Sequence, residues 1–342
     1  MPSITVASLP LLLALALALT SCGGGAESKP PDVLIGVLPT PTGGPQSSTP
    51  VVAGALSTPE ATPPTRLPTV VSLAWLDSGV PSPELPSFAA PVDDAGLRAA
   101  IETSLAGREG AYSVVVHNLA DGRYAAINEG KVYYAASLYK LEQLIEAYRQ
   151  RDAGELDFAR LLTLERKYIE LDLETLELLG LLEGDMVSVH DAVRAMTIVS
   201  DTPTAALLQD TLNPVRVDQT LRSLGLSETE NANRDLPTSA RDMARLLAAI
   251  AAGKGGVTEA SRDEMLSLLR QEGYREGVVA GVPAGTPVAH KTGSYTDATH
   301  DVALVWGPAG PYVIAVLTDR SYDWEPIRAV SRVVWDHFAA NR

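Results

Sequence analysis

AASLYKLEQLIEAY, residues 135–148, sets a serine three residues ahead of a lysine at the start of an apolar repeat. Leu141, Leu144, Ile145 and Tyr148 fall at i, i+3, i+4 and i+7, which is one face of a helix. The spacing predicts a long amphipathic helix beginning at Ser137, with Ser137 and Lys140 sharing a face of its first turn. An ammonium beside a hydroxyl can lose its proton when desolvated and then serve as a base. A helix N-terminus adds positive potential for a developing oxyanion. Ser-x-x-Lys alone is equally an ordinary helix start with a serine cap, so the rest of the chain has to decide.

Outward from this helix, Ala111–Leu119 is rich in β-formers, Asp121-Gly122 is a hairpin turn, and Arg123–Ile127 returns. A helix pattern opens at Val92-Asp93-Asp94-Ala95 and runs through Leu105. On the other side, residues 155–250 are mostly helical in pattern, and a helix near Glu259–Leu269 follows. Two strand candidates, Asp301–Trp306 and Tyr312–Leu317, are joined by Gly307-Pro308-Ala309-Gly310-Pro311, and a last helix starts near Trp324. Strands and helices from both termini therefore bracket a helical middle, with no internal repeat.

Two short motifs lie in the expected loops and edges. Ser200-Asp201-Thr202 separates the helical patterns His190–Val199 and Thr204–Leu212. A loop serine there can relay a proton to a leaving group; the same three residues can equally cap the helix. Lys291-Thr292-Gly293 reads as a strand edge where a cation, a hydroxyl and a close backbone approach could hold a carboxylate, or as a turn between strands.

Taken in order, Ser-x-x-Lys, Ser-Asp-Thr and Lys-Thr-Gly resemble the signature of the class A β-lactamases and penicillin-binding proteins. Ala135–Leu141, Thr238–Ala244, Ala284–Gly293 and His300-Asp301 also resemble that family, and the likeness spans roughly residues 93–342. It implies an α/β, β-lactamase-like fold: an antiparallel sheet from residues near 111–128 and 287–318, flanked by helices, plus an all-helical subdomain at about 150–260. It implies that Ser137 is acylated, Lys140 activates it, and Ser200 passes a proton to the departing amine. Lys291 would supply positive potential near Ser200 and the substrate carboxylate. Thr292 would hydrogen-bond that carboxylate, and the backbone N–H groups of Ser137 and Ser294 would form the oxyanion hole, with Gly293 and Thr202 beside the substrate.

Two departures stand out. Thr202 occupies the position of the family's Asn. No Glu-x-x-Leu-Asn segment, the source of the deacylation base, appears between Ser200 and Thr238; the shortened stretch Ser227–Asp235 offers Glu228 and Glu230, or Asp235, as replacements or as solvated loop charges. The expectation is a serine acyl-enzyme hydrolase acting on β-lactams. The alternatives are a penicillin-binding or D-Ala-D-Ala peptidase/esterase-like enzyme with slow turnover, or a non-enzymatic cell-wall-binding lipoprotein. Intact Ser137, Lys140, Ser200 and Lys291 argue against the last.

Composition narrows the partners. A net charge of −15 disfavours nucleic acid, and the five histidines show no metal-ligand spacing, so no metal or cofactor is expected. The apolar run at residues 8–19 is too short for a typical membrane span and ends in Leu19-Thr20-Ser21-Cys22, which resembles a bacterial lipobox. Residues 1–22 are read as a lipoprotein signal, with Cys22 lipidated, although the first seven residues lack Lys and Arg. Residues 23–92 hold fourteen of the 24 prolines and read as a disordered tether that cannot bury a core of its own. The expected product is a monomer held outside the cytoplasm on a bacterial membrane.

Overall fold

The structure, a computed structural model, describes residues 67–342. Cys22, the expected signal segment and residues 23–66 of the expected tether lie outside the described residues. The strands are β1 (Val92–Asp93), β2 (Tyr112–Asn118), β3 (Arg123–Ile127), β4 (Val132–Tyr134), β5 (Leu161–Thr163), β6 (Met186–Ser188), β7 (Pro237–Ser239), β8 (Val288–Tyr295), β9 (Ala298–Gly307) and β10 (Gly310–Thr318). The helices before the middle of the chain are α1 (Ala95–Leu105), α2 (Tyr139–Asp152), α3 (Arg166–Ile169), α4 (Leu173–Leu179) and α5 (Val189–Ile198). Then come α6 (Thr202–Leu212), α7 (Pro214–Ser223), α8 (Ala240–Ala251), α9 (Glu259–Leu269), α10 (Val278–Gly281) and α11 (Glu325–Ala340).

Six strands form one sheet in the order β1-β3-β2-β10-β9-β8, antiparallel except for the β1–β3 pair. Its central strands are apolar at nearly every position because both faces are covered. On β10, Tyr312, Ile314 and Val316 join α1 and α11 in one core with Leu97, Ile101, Val330 and Phe338. Val313, Ala315 and Leu317 alternate to the other face, against Met243, Leu246 and Ile250 of α8. The two-residue side-chain period of a strand divides one apolar run between two cores. The sheet and flanking helices are those expected. The helical middle also holds a β5–β6 ribbon, too short at three residues per strand for its alternation to be read in advance.

The expected tether is corrected at its C-terminal end. Residues 67–92 form a strap on the domain rather than a free linker. Leu73 is fully buried within the core around α2, α5 and α8. Val71 N–H donates to Met186 O at 2.8 Å, Ala89 N–H to Leu119 O at 2.8 Å, and Val92 N–H to Gly122 O at 2.7 Å. Gly122, at φ +85, also lies under the strap; a Cβ there would come within 2.2 Å of Ala90 O. Proline-rich composition argues against an independent core, but it does not prevent a segment from using its neighbour's.

Candidate active site

The turn into α2 presents Ser137. After β4 the chain passes through Ala136 at φ +46, a left-handed conformation costly for a residue with a Cβ, and then a 3₁₀ turn, Ala136–Leu138. Ala135 N–H donates to Leu236 O at 2.8 Å, and Leu138 N–H to Ala135 O at 3.1 Å; both hold the turn. Edge strand β8 runs close beside it. A Cβ on Gly293 would lie 3.0 Å from Ala135 O and 3.2 Å from Ser137 N, so glycine at 293 lets the strand meet the serine.

Lys140, 1 % exposed, is the hub. Its Nζ lies 3.0 Å from Ser137 Oγ, 3.1 Å from Ser200 Oγ and 3.4 Å from Thr202 Oγ1, and it also donates to Ser200 O. Burial first, and the nearby Lys291 charge second, push this ammonium down to about 7. Of the two readings of Ser200-Asp201-Thr202, the structure shows the cap, and on Asp201. Asp201 caps α6, accepting from Thr204 N–H at 2.7 Å and from Thr175 Oγ1 at 2.6 Å. Ser200, at φ +58, is thereby turned onto Lys140.

Lys291 is paired within the chain itself. Its Nζ donates to Glu272 Oε1 at 2.8 Å and to Thr292 O at 3.1 Å. Thr292 Oγ1 donates to the same Glu272 oxygen at 2.6 Å. Glu272 follows α9 and closes the free edge of β8. Its second oxygen lies 3.3 Å from His290 Nε2, and His290 Nδ1 lies 3.2 Å from Asp301 Oδ1; Glu272, His290 and Asp301 are wholly buried. Burial alone would raise the Glu272 carboxyl, but Lys291, His290 and its hydrogen bonds hold it below its usual value. Burial alone would lower His290, but Asp301 and Glu272 raise it.

A cavity of about 340 Å³ opens over Ser137, Ser200, Thr202, Thr292, Gly293 and Ser294. Its remaining walls are Asp172, Glu174, Tyr274 and Tyr322, none of which the motifs indicate. Asp172 caps α4. Glu228 and Glu230, offered as replacement bases, are not brought to this cavity. Glu228 pairs with Arg241 Nη2 and accepts from Ser239 Oγ at 3.3 Å; burial would raise its carboxyl, yet the Ser227 and Arg241 contacts hold it low. Glu230 Oε2 accepts from Asn233 Nδ2 at 3.2 Å on the exposed loop. The short loop's backbone is instead pinned by buried Asp242, which accepts from Ser227 and Glu228 N–H at 2.9 and 2.7 Å. Among the described residues no group of His, Cys, Asp or Glu is placed to hold a metal ion.

Helices cover both faces of a largely antiparallel sheet, and a buried lysine links two serines beside its edge strand. The chain belongs to the beta-lactamase enzyme family, whose model matches residues 96–338. Among solved structures it is similar to PBP-A, at 24 % identity over 74 % of this chain and 99 % of that one, with a TM-score of 0.68. An acyl-enzyme complex of a PBP-A point mutant with penicillin G matches at 25 % identity, over 74 % and 99 % of the two chains, with a TM-score of 0.69. A β-lactamase from Sphaerobacter thermophilus matches at 23 % identity, over 73 % and 99 %, with a TM-score of 0.64.

Proposed function

We propose that the protein is a serine acyl-enzyme hydrolase that opens β-lactams at Ser137 and releases the product slowly. The contact between buried Lys140 Nζ and Ser137 Oγ at the cavity, 3.0 Å long, carries this reading. A lysine poised near 7 is neutral in part at neutral pH, and a neutral amine accepts the Ser137 proton as Oγ attacks the lactam carbonyl. The new C–O bond gives a tetrahedral oxyanion, with the Ser137 and Ser294 N–H groups as its donors. As the C–N bond breaks, Ser200 Oγ gives its proton to the leaving nitrogen and is reprotonated by Lys140, 3.1 Å away. The Ser137 ester then waits for water.

Slow release is favoured by where the loop carboxylates lie: Glu228 is held by Arg241 and Glu230 by Asn233, away from the cavity, and of the two carboxylates in its wall, Asp172 and Glu174, the first is engaged in capping α4. General-base assistance is typically about 10²–10⁴-fold, and without it the ester persists by a comparable factor. Intact-protein mass spectrometry after exposure to benzylpenicillin should show a single penicilloyl adduct that Ser137→Ala lacks; an adduct on that variant would refute the assignment. A nitrocefin burst stoichiometric with protein, then a slow steady state, is the expected kinetic form; fast linear turnover would refute slow release. The companion proposal, anchoring outside the cytoplasm by lipid on Cys22, rests on Leu19-Thr20-Ser21-Cys22. Labelling with an alkynyl fatty acid should mark the wild type and miss Cys22→Ser.

A further inference from the structure

We propose that Tyr322 is a specificity-determining residue of the Ser137 site, offering its ring to an aromatic substituent on the acyl half of the substrate. This rests on the acyl-enzyme reading above. Of the eleven tyrosines, three are exposed: Tyr274, Tyr295 and Tyr322, at 45, 54 and 62 %. Tyr274 and Tyr322 line the cavity over Ser137, and Tyr295 follows Ser294 of its wall. The remaining tyrosines are buried or half-buried, so the open ones gather at one mouth. A ring left uncovered beside a reacting serine is a ready surface for a flat apolar group.

The three tyrosines are not equivalent. Tyr274 N–H donates to Glu272 Oε2 at 3.2 Å, and the other oxygen of Glu272 holds Lys291 and Thr292, so Tyr274 stands at the Lys291 end of β8. Tyr295 already has a neighbour in the Tyr134 ring, 5.5 Å away between centroids. Tyr322 has no hydrogen-bond or ring partner among the described residues. Its φ is +51, a left-handed conformation that a residue with a Cβ seldom adopts and that persists only where the surroundings impose it. Here Thr299 imposes it. Its buried hydroxyl donates to Arg320 O at 2.5 Å and accepts from Asp323 N–H at 3.1 Å, gripping the loop on both sides of Tyr322. Thr299 pairs with Ser294 in the β8–β9 register, and the Ser294 N–H is the proposed donor to the acyl carbonyl oxygen. The strained loop therefore sets Tyr322 beside the acyl half, from which the side chain of an acyl donor projects.

The test compares two penicillins built on one nucleus, with phenylacetyl (benzylpenicillin) and acetyl side chains. Both keep the carboxylate and the side-chain amide, and they differ by one ring. Acylation of Ser137 in the full chain is followed over time by intact-protein mass spectrometry. The wild type should acylate about tenfold faster with the phenylacetyl compound, the size of one aromatic contact. Tyr322→Asn removes the ring and keeps a residue that tolerates the left-handed backbone. It should bring the two rates together by slowing the phenylacetyl compound alone, and Tyr322→Phe should keep the wild-type ratio. Tyr322→Gly repeats the test in a chain relieved of the strain. Equal wild-type rates, a ratio that loss of the ring leaves unchanged, or a fall of both rates together would overturn the proposal. No Ser137 adduct from either compound would instead overturn the acyl-enzyme reading, and this assignment with it.

Discussion

Lys140 and Lys291 are two buried lysines near one another, and they have opposite surroundings. The hydrogen bonds of Lys140 go to hydroxyl and carbonyl oxygens; Lys291 touches a carboxylate. Desolvation without a contacting counter-charge drives an ammonium towards its neutral form. A buried carboxylate at hydrogen-bond distance retains the charge, and the charge in turn satisfies the carboxylate. Each lysine also acts on the other: the Lys291 charge helps to lower Lys140. In the proposed function the first lysine would move a proton, while the second joins Glu272 to the edge strand.

The largest effect should come from breaking the proton-moving half. Lys140→Ala should slow Ser137 acylation by about 10²–10⁴-fold, read as adduct formation over time, and Lys140→Arg should not restore it because an arginine stays charged. The same half gives a pH signature. The base works when deprotonated, so with Lys140 at about 7 the acylation rate should be low near pH 5, rise by one proton through neutrality and level off by about pH 8. A flat profile across that window would place the base elsewhere.

The strap tests the organising half. Asp77 Oδ1 accepts from Gln271 Nε2 at 2.8 Å, and Ser78 N–H donates to Gln271 Oε1 at 2.5 Å, one residue from the Glu272 that holds Lys291. Starting the chain at Pro91 removes these contacts together with buried Leu73. Leu73→Ala alone should cost about 2–5 kcal/mol, measured by chemical denaturation, and the truncated chain should lose at least as much. A truncated chain as stable as the full one would show that the strap adds nothing. Gly293→Ala probes the seam between the two halves. Its Cβ would press on Ala135 O at 3.0 Å, and acylation should fall about tenfold, since a small misplacement of reacting groups is costly, with little change in stability.

The smallest effect is expected from Glu228→Gln, which lies outside both halves. Steady-state nitrocefin turnover should change by less than about twofold, against the 10²-fold or more lost with a true deacylation base. Loss of the half-exposed pair with Arg241 should cost no more than about 1 kcal/mol. A collapse of turnover in this variant would identify the base that the geometry does not place at the ester.

The sequence by itself determined the parts encoded by short-range pattern. The apolar runs of β2, β9 and β10 and the helical repeat after Ser137 are local periodicities, and burial on both sheet faces writes them plainly into the chain. The family resemblance carried by Ser-x-x-Lys, Ser-Asp-Thr and Lys-Thr-Gly implied that Ser137, Lys140, Ser200 and Thr292 would share one place, as they do. Tertiary structure alone decided which acid stands beside which lysine. Glu272 lies in the loop after α9 and Lys291 within a strand, and no spacing rule connects a loop residue to the edge of a strand that folds beside it. Asp172 and Glu174 enter the cavity because α4 points its first turn there, whereas Glu228 and Glu230, nearer to what the motif suggested, are held by Arg241 and Asn233. The strap has the same origin. Composition reports that residues 67–92 cannot form a core of their own, and only the folded chain shows that Leu73 enters the one already built.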